Sequence, residues 1–251
     1  MLKKVKNKNI AVYTALFGNY DYLRDPPVAY TEVDYLCFTD NKKLQSKKWK
    51  VLYIKKDNFS PKDMNRYIKI NNYKFLKDYK FSIYHDANVV FFSNPVELIK
   101  KYLKSSDIAM PQHRYRNSSQ SEAKEVIAYS NLSNFQNDKV KKITKKNINW
   151  LTENRFILRR NNKKIIKDLM NTWWKMYKDG IVRDQISFPY ACKKHGLKPN
   201  IIKKRFHYLH IFTVKPHTKS SLRFKLKYYF FIIFLEFLLI IFFKIKNYAK
   251  I

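Results

Sequence analysis

The stretch FSIYHDANVVF places two short polar side chains, Asp86 and Asn88, where one β-prone run stops and another apolar run begins. Ligands of an open α/β sheet bind beyond the carboxyl ends of its strands. An i, i+2 spacing in extended chain turns both side chains to the same side. Two oxygen donors so placed can hold a hard divalent cation such as Mn²⁺ or Mg²⁺, which in turn grips a diphosphate; the plainer alternative is that Asp-x-Asn makes a turn. Upstream, Arg66 and Lys69 stand three apart on one face of a predicted helix. They are either a solvated charge face or the cations that neutralise a departing diphosphate. Arg183-Asp184-Gln185 opens another predicted helix, where the acid and amide serve either as an N-cap or as a base and its orienter. His207 and His210 lie three apart in RFHYLHIF, as core imidazoles or as neutral ligands completing a metal site.

Other chemistries are excluded by what is missing. The chain has three glycines, Gly18, Gly180 and Gly196, too few for a Walker P-loop or a dinucleotide-binding fingerprint. It has no Gly-x-Ser-x-Gly elbow. Cys37 and Cys192 lie far apart, with no partner pattern for a disulfide framework, a Cys-rich zinc site or a nucleophile–His pair. The basic start reads as a lead into a first strand rather than a signal peptide, so a reducing cytosolic setting is expected. A net charge of +33 suggests nucleic acid at first sight. The excess is mostly Lys spread along the chain, whereas base and phosphate readers favour Arg. No nucleic acid partner is therefore expected, and an anionic membrane surface or a diphosphate-bearing substrate explains the sign as well.

The elements that must position these groups alternate between periods. Asn9–Leu16, Val33–Phe38, Trp49–Ile54 and Phe81–Tyr84 read as strands, as do Val89–Phe92, Asp107–Met110 and Phe156–Leu158. Ser60–Lys77 reads as a helix started by Ser60-Pro61, with Met64, Tyr67, Ile68, Asn71 and Phe75 on one face. Val96–Leu103, Lys163–Lys178 and Arg183–His195 are further helices, the last closed by Gly196 at C′. Residues 113–150 read as loops and exposed helices. The alternation predicts an α/β domain with a mostly parallel sheet flanked by helices. It is expected over residues 1–205, followed by a basic connector, 206–227, and a hydrophobic tail, 228–251. The apolar run of that tail is short for the roughly 30 Å hydrocarbon core, so it is expected to associate with a membrane as a monotopic or re-entrant helix.

Taken in order, YTALFGNYDYL, DYLCFTD, NRYIKINNYKFLKDYKFSIYHDANV, PQHRYRNSSQSEA, LTENRFILRR and WWKMYKDGIVRDQISFPYA resemble a family of glycosyltransferase-like proteins found in bacterial surface-polysaccharide clusters and in plant wall-polymer synthesis. That family is in turn similar to the glycogenin-like retaining enzymes of the GT-A fold. The resemblance covers residues 10–192. It implies that Ala15, Phe17, Gly18 and Tyr20 form the first strand end and the loop around the nucleotide base. It puts Arg66 and Lys69 on the donor phosphates, Asp86 at the Asp-x-Asp position, and Asp184 and Gln185 beside the donor sugar's anomeric carbon. His113 and Arg116, in the His-containing block, would contact donor or acceptor. Asn88 departs from the pattern by replacing the second Asp.

The expected protein is a cytoplasmic-face, retaining, hexosyltransferase-like enzyme, peripheral or monotopic on the inner face of the cell membrane. It would move a sugar from a nucleotide-diphosphate donor, UDP-linked by analogy, to a capsule, lipopolysaccharide or similar glycan or glycolipid acceptor. Two rivals are a membrane-attached scaffold that keeps the fold without activity, and a basic nucleic-acid binder.

Overall fold

The computed structural model describes residues 8–55, 57–203, 211–217, 221–223, 225–226 and 228–230. In chain order these form β1 (Ile10–Leu16), β2 (Val33–Thr39), β3 (Lys50–Tyr53), α1 (Pro61–Ile70), β4 (Phe81–His85) and β5 (Val89–Phe91). There follow α2 (Pro95–Tyr102), β6 (Ile108–Pro111), α3 (Ser119–Tyr129), α4 (Asn134–Thr144) and β7 (Phe156–Arg160). Last come α5 (Lys164–Lys178), α6 (Asp184–Lys194), β8 (Asn200–Ile202) and β9 (Phe212–Val214).

Seven strands form one sheet in the order β3-β2-β1-β4-β7-β6-β8. Strands β1 to β4 are mutually parallel, as are β6 and β8, while β7 runs antiparallel between β4 and β6. The fold is therefore mixed α/β with a mostly parallel sheet, as expected. Strand β1 is buried at every position, which is why its sequence is a near-continuous apolar run rather than an alternation. Its odd and even residues serve opposite cores: Tyr13 packs with Met64, Trp173 and Phe188, and Val12 with Leu98 and Phe212.

Helix α1 begins as the sequence predicts, with the Ser60 hydroxyl accepting from the Asp63 amide and Pro61 in the first turn. It ends sooner. Asn71 caps it and Asn72–Lys74 turn as a short 3₁₀ segment. The Asn72 side chain donates to Ser82 Oγ at 3.1 Å and to Asn161 Oδ1 at 2.8 Å, so short amides draw the chain out of the helix and into a buried network. Arg159, buried under α1, donates to the Lys69 carbonyl at 2.9 Å and to the Tyr13 hydroxyl. The last turn of α1 is thereby pinned to the sheet.

Two further expectations are modified. Residues 113–150 hold α3 and α4, whose Ala123, Val126 and Val140 form a third core with Ile186 and Tyr190 of α6; this stretch is more than loops and exposed helices. The second apolar burst, β5, leaves the main sheet and pairs antiparallel with β9 in a separate ribbon. Gly196 follows α6 with φ +60°, the expected left-handed C′ residue. Most of the hydrophobic tail lies outside the described residues, as do His207 and His210. Among the described residues no helix is long and apolar enough to cross a membrane.

Candidate active site

The carboxyl ends of β1 and β4 and the first turns of α1 enclose a cavity of about 650 Å³. One wall is the end of β1 and the loop after it, with Ala15, Phe17, Gly18 and Tyr20 all lining the space. Asn65 of α1 donates to the Ala15 carbonyl at 2.8 Å. The Gly18 amide donates to both carboxylate oxygens of Asp40 at 3.1 Å. Glycine is strongly favoured here, since the φ of Gly18 is +64° and a Cβ would sit 2.7 Å from Cβ of Pro61. The loop and the start of α1 can approach this closely only because that side chain is absent.

Asp86 and Asn88 line the same cavity. They do so from a turn, closed by the Val89 amide on the Asp86 carbonyl at 2.9 Å, and not from the extended chain that their spacing suggested. The turn leaves both residues among the lining of the cavity. The Asp86 amide donates to the Arg155 carbonyl at 3.0 Å, and its Oδ1 accepts from the Tyr84 hydroxyl at 2.8 Å. Asn88 is buried, and its amide nitrogen donates to the Lys215 carbonyl at 3.0 Å and lies 3.3 Å from Nε2 of His217. The His217 Nδ1 in turn donates to Asp21 Oδ2 at 2.7 Å. This fixes the tautomer: Nδ1 carries the proton and Nε2 accepts from Asn88. The Asn88 Oδ1, facing away, is buried with no hydrogen-bond partner.

Neither His217 nor Asp21 was singled out from the sequence. The signal lay in Lys215-Pro216, whose next residue is the imidazole that meets Asn88. Residues 211–217 act as a strap: β9 pairs with β5, and His217 closes one side of the cavity. Among the described residues, no three His, Cys, Asp or Glu side chains gather as a metal cluster.

Arg66 lines the cavity and Lys69 does not. Lys69 is buried one turn behind and donates to Asp184 Oδ2 at 2.7 Å, while Arg66 Nε lies 3.8 Å from the same oxygen. Burial would raise the Asp184 pKa, but Lys69, then Arg66 and Arg183, outweigh it and hold the carboxyl well below the usual range. Burial likewise opposes the charge on Arg66, yet Asp184 and Asp86 prevail and keep the guanidinium ionised. Asp184 is the first residue of α6 and Arg183 its N-cap position, which makes no side-chain cap. The acid is thus an ion-pair partner of Lys69 rather than an N-cap. Gln185, half-buried beside it, has an Oε1 with no hydrogen-bond partner.

His113 and Arg116 gather elsewhere on the same sheet edge, around Glu122. His113 Nδ1 accepts from the amides of Tyr115 and Arg116 at 3.3 and 3.0 Å, and its Nε2 lies 3.6 Å from Glu122. Arg116 and Arg183 both donate through Nε to the Glu122 carboxylate, Arg183 at 2.8 Å. Burial draws the His113 pKa down more than the Glu122 carboxylate beside it raises it. Glu122 was not foreseen; its only signal was its place in the SQSEA run. Through Arg183 it connects the His113 block to the start of α6.

A family model described as TOD1/MUCI70, glycosyltransferase-like domain, matches residues 1–220. Among solved structures, a bifunctional glycosyltransferase, WbbM, in its apo form is similar at 9% identity with a TM-score of 0.48, over 81% of this chain and 40% of its own. The chain therefore spans less than half the length of that structure. No curated protein matches it.

Proposed function

The chain belongs to the TOD1/MUCI70 glycosyltransferase-like family, and from that premise we propose that it is a GT-A-type, retaining hexosyltransferase acting on a UDP-linked sugar. The observation that carries this reading is that a charged guanidinium, Arg66, and a carboxylate, Asp86, both line one cavity at the sheet edge, and that Asp86 helps keep the guanidinium ionised. The loop from Ala15 to Tyr20 receives the nucleotide base, and Gly18 lets it close on α1. Arg66 meets the diphosphate and stabilises the charge that develops as the sugar departs. Lys69 acts through Asp184, which it keeps anionic and in place. Gln185 offers its unpartnered oxygen to a donor-sugar hydroxyl.

The donor set fits a hard cation. Asp86 supplies one carboxylate, and Asn88 Oδ1 is a buried acceptor without a partner, which suits an Mg²⁺ or Mn²⁺ that takes its remaining ligands from water and diphosphate. Bound there, the ion would add positive charge on the leaving group. His217 holds Asn88 in position and is not itself a ligand in this reading. The acceptor is a surface glycan or a lipid-linked glycan, such as a capsule or lipopolysaccharide precursor, reached at the cytoplasmic face of the membrane.

Purified protein incubated with a panel of UDP-sugars and Mg²⁺ or Mn²⁺ should hydrolyse one of them slowly, and Asp86→Ala should abolish this while remaining folded. Loss of that carboxylate should cost on the order of 10³-fold in rate. A folded Asp86→Ala protein with undiminished turnover contradicts the assignment. A protein that turns over none of the panel favours the inactive scaffold, whose supporting feature is the amide at position 88.

A further inference from the structure

Beyond the strap, every described position of residues 222–230 has helical backbone. The Lys225 amide donates to the Ser221 carbonyl at 3.0 Å, the i to i−4 bond of an α-helical turn. Leu222, Leu226, Tyr229 and Phe230 are 72, 61, 51 and 76% exposed. At about 100° per residue the four fall within an arc of roughly 100°, so side chains that would normally face a core form one stripe turned to solvent. Arg223 and Lys225 flank that stripe, one on each side. Lys215 Nζ sits 5.6 Å from the centre of the Tyr228 ring, which fastens the segment to the strap. The sequence then continues as FIIFLEFLLIIFF, with Glu236 its one charged residue.

We infer that residues 222–230 lie in the plane of an anionic lipid surface, with the stripe at the acyl boundary and Arg223 and Lys225 among the headgroups. The flanking charges select this occupant. A second copy of the chain would bring like charges together on a protein of net charge +33, whereas anionic headgroups complement them. His217 lines the cavity only five residues before Leu222, a reach of at most about 18 Å. If the transferase reading holds, the donor cavity is therefore carried at headgroup level, within range of a lipid-linked acceptor.

The full chain carries two cysteines, Cys37 and Cys192, both buried, so introduced cysteines can be labelled selectively. Leu226→Cys and Arg223→Cys, each labelled with an environment-sensitive fluorophore, are mixed with phosphatidylcholine vesicles with and without phosphatidylglycerol. The label at 226 should shift strongly to the blue on phosphatidylglycerol vesicles and hardly at all in buffer, with a much smaller shift at 223. A label at 226 that is already blue-shifted in buffer would show that another segment or a second copy covers the stripe, and overturns the inference. Equal shifts at both positions, or none, also overturn it. Donor hydrolysis by the same labelled samples without vesicles is a separate readout: its absence counts against the transferase and leaves the surface result standing.

Discussion

Lys69 and Asp184, 115 residues apart in sequence, meet at 2.7 Å in the protein interior. This ion pair ties the last turn of α1 to the first turn of α6 and sets the position of Arg66, whose Nε approaches the same carboxylate oxygen. Removing one member leaves the other buried and uncompensated, which costs about 3–5 kcal/mol. Lys69→Met should therefore lower the thermal midpoint sharply, and Lys69→Met combined with Asp184→Leu should recover part of that loss. Donor turnover should not recover with it, because Arg66 would have lost its carboxylate partner.

Asp184 also makes a signed prediction for pH. Its folded-state pKa lies below that of an unfolded Asp, so its stabilisation is complete above about pH 4, the ordinary Asp value, and is lost as pH falls toward the lower folded value. Denaturant midpoints measured from pH 6 downward should fall for the wild type. Asp184→Asn should start lower at pH 6 and show a shallower decline. Parallel curves would mean that other carboxylates dominate acid unfolding.

Gly18→Ala tests the packing of the loop on α1. The backbone strain of a positive φ costs about 1 kcal/mol or more in a residue with a side chain, and the clash with Pro61 adds to it. The variant should fold, melt lower and bind nucleotide sugar more weakly. An Ala variant with native affinity would mean that the loop does not contact the donor.

The strap is held at the cavity by His217 and Asp21. Asp21 is buried and accepts from His217 and from the Tyr22 amide at 3.0 Å. A hydrogen bond to a charged group contributes about 1.5–3 kcal/mol. His217→Ala should thus speed amide exchange through residues 212–217 while exchange in α5 stays unchanged, and should raise the donor KM more than it lowers kcat. Unchanged exchange in the strap would show that the β5–β9 pairing and the Asn88–Lys215 hydrogen bonds secure it without His217.

Much of this arrangement was legible because it is local. Strand β1, the Ser60-Pro61 start of α1 and the Gly196 terminus follow from burial, capping and φ preferences that act within a few residues. Asp86, Asn88 and Arg66 were recognisable because residues near each other in sequence reach one cavity from a strand end and an adjacent helix. What escaped depends on long-range closure. His217 meets Asp21 across 196 residues, and Glu122 collects Arg116 and Arg183 from separate blocks, pairings that no local spacing encodes. The role of Lys69 changed for the same reason: its three-residue spacing from Arg66 is real, but the tertiary partner Asp184 turns it inward. Helix α1 ended early because the side chain of Asn72 finds its partners, Ser82 and Asn161, outside the helix, while Asn71 caps the last turn through Tyr67.

The most direct test of the central claim is calorimetric titration of UDP into the wild type, Arg66→Gln and Asp86→Ala, with Mg²⁺ present. The account predicts measurable binding to the wild type and a loss of tenfold or more, about 1.4 kcal/mol, in each variant, with both still folded. Wild-type protein that does not bind UDP, or folded variants that bind it as tightly as the wild type, would contradict it.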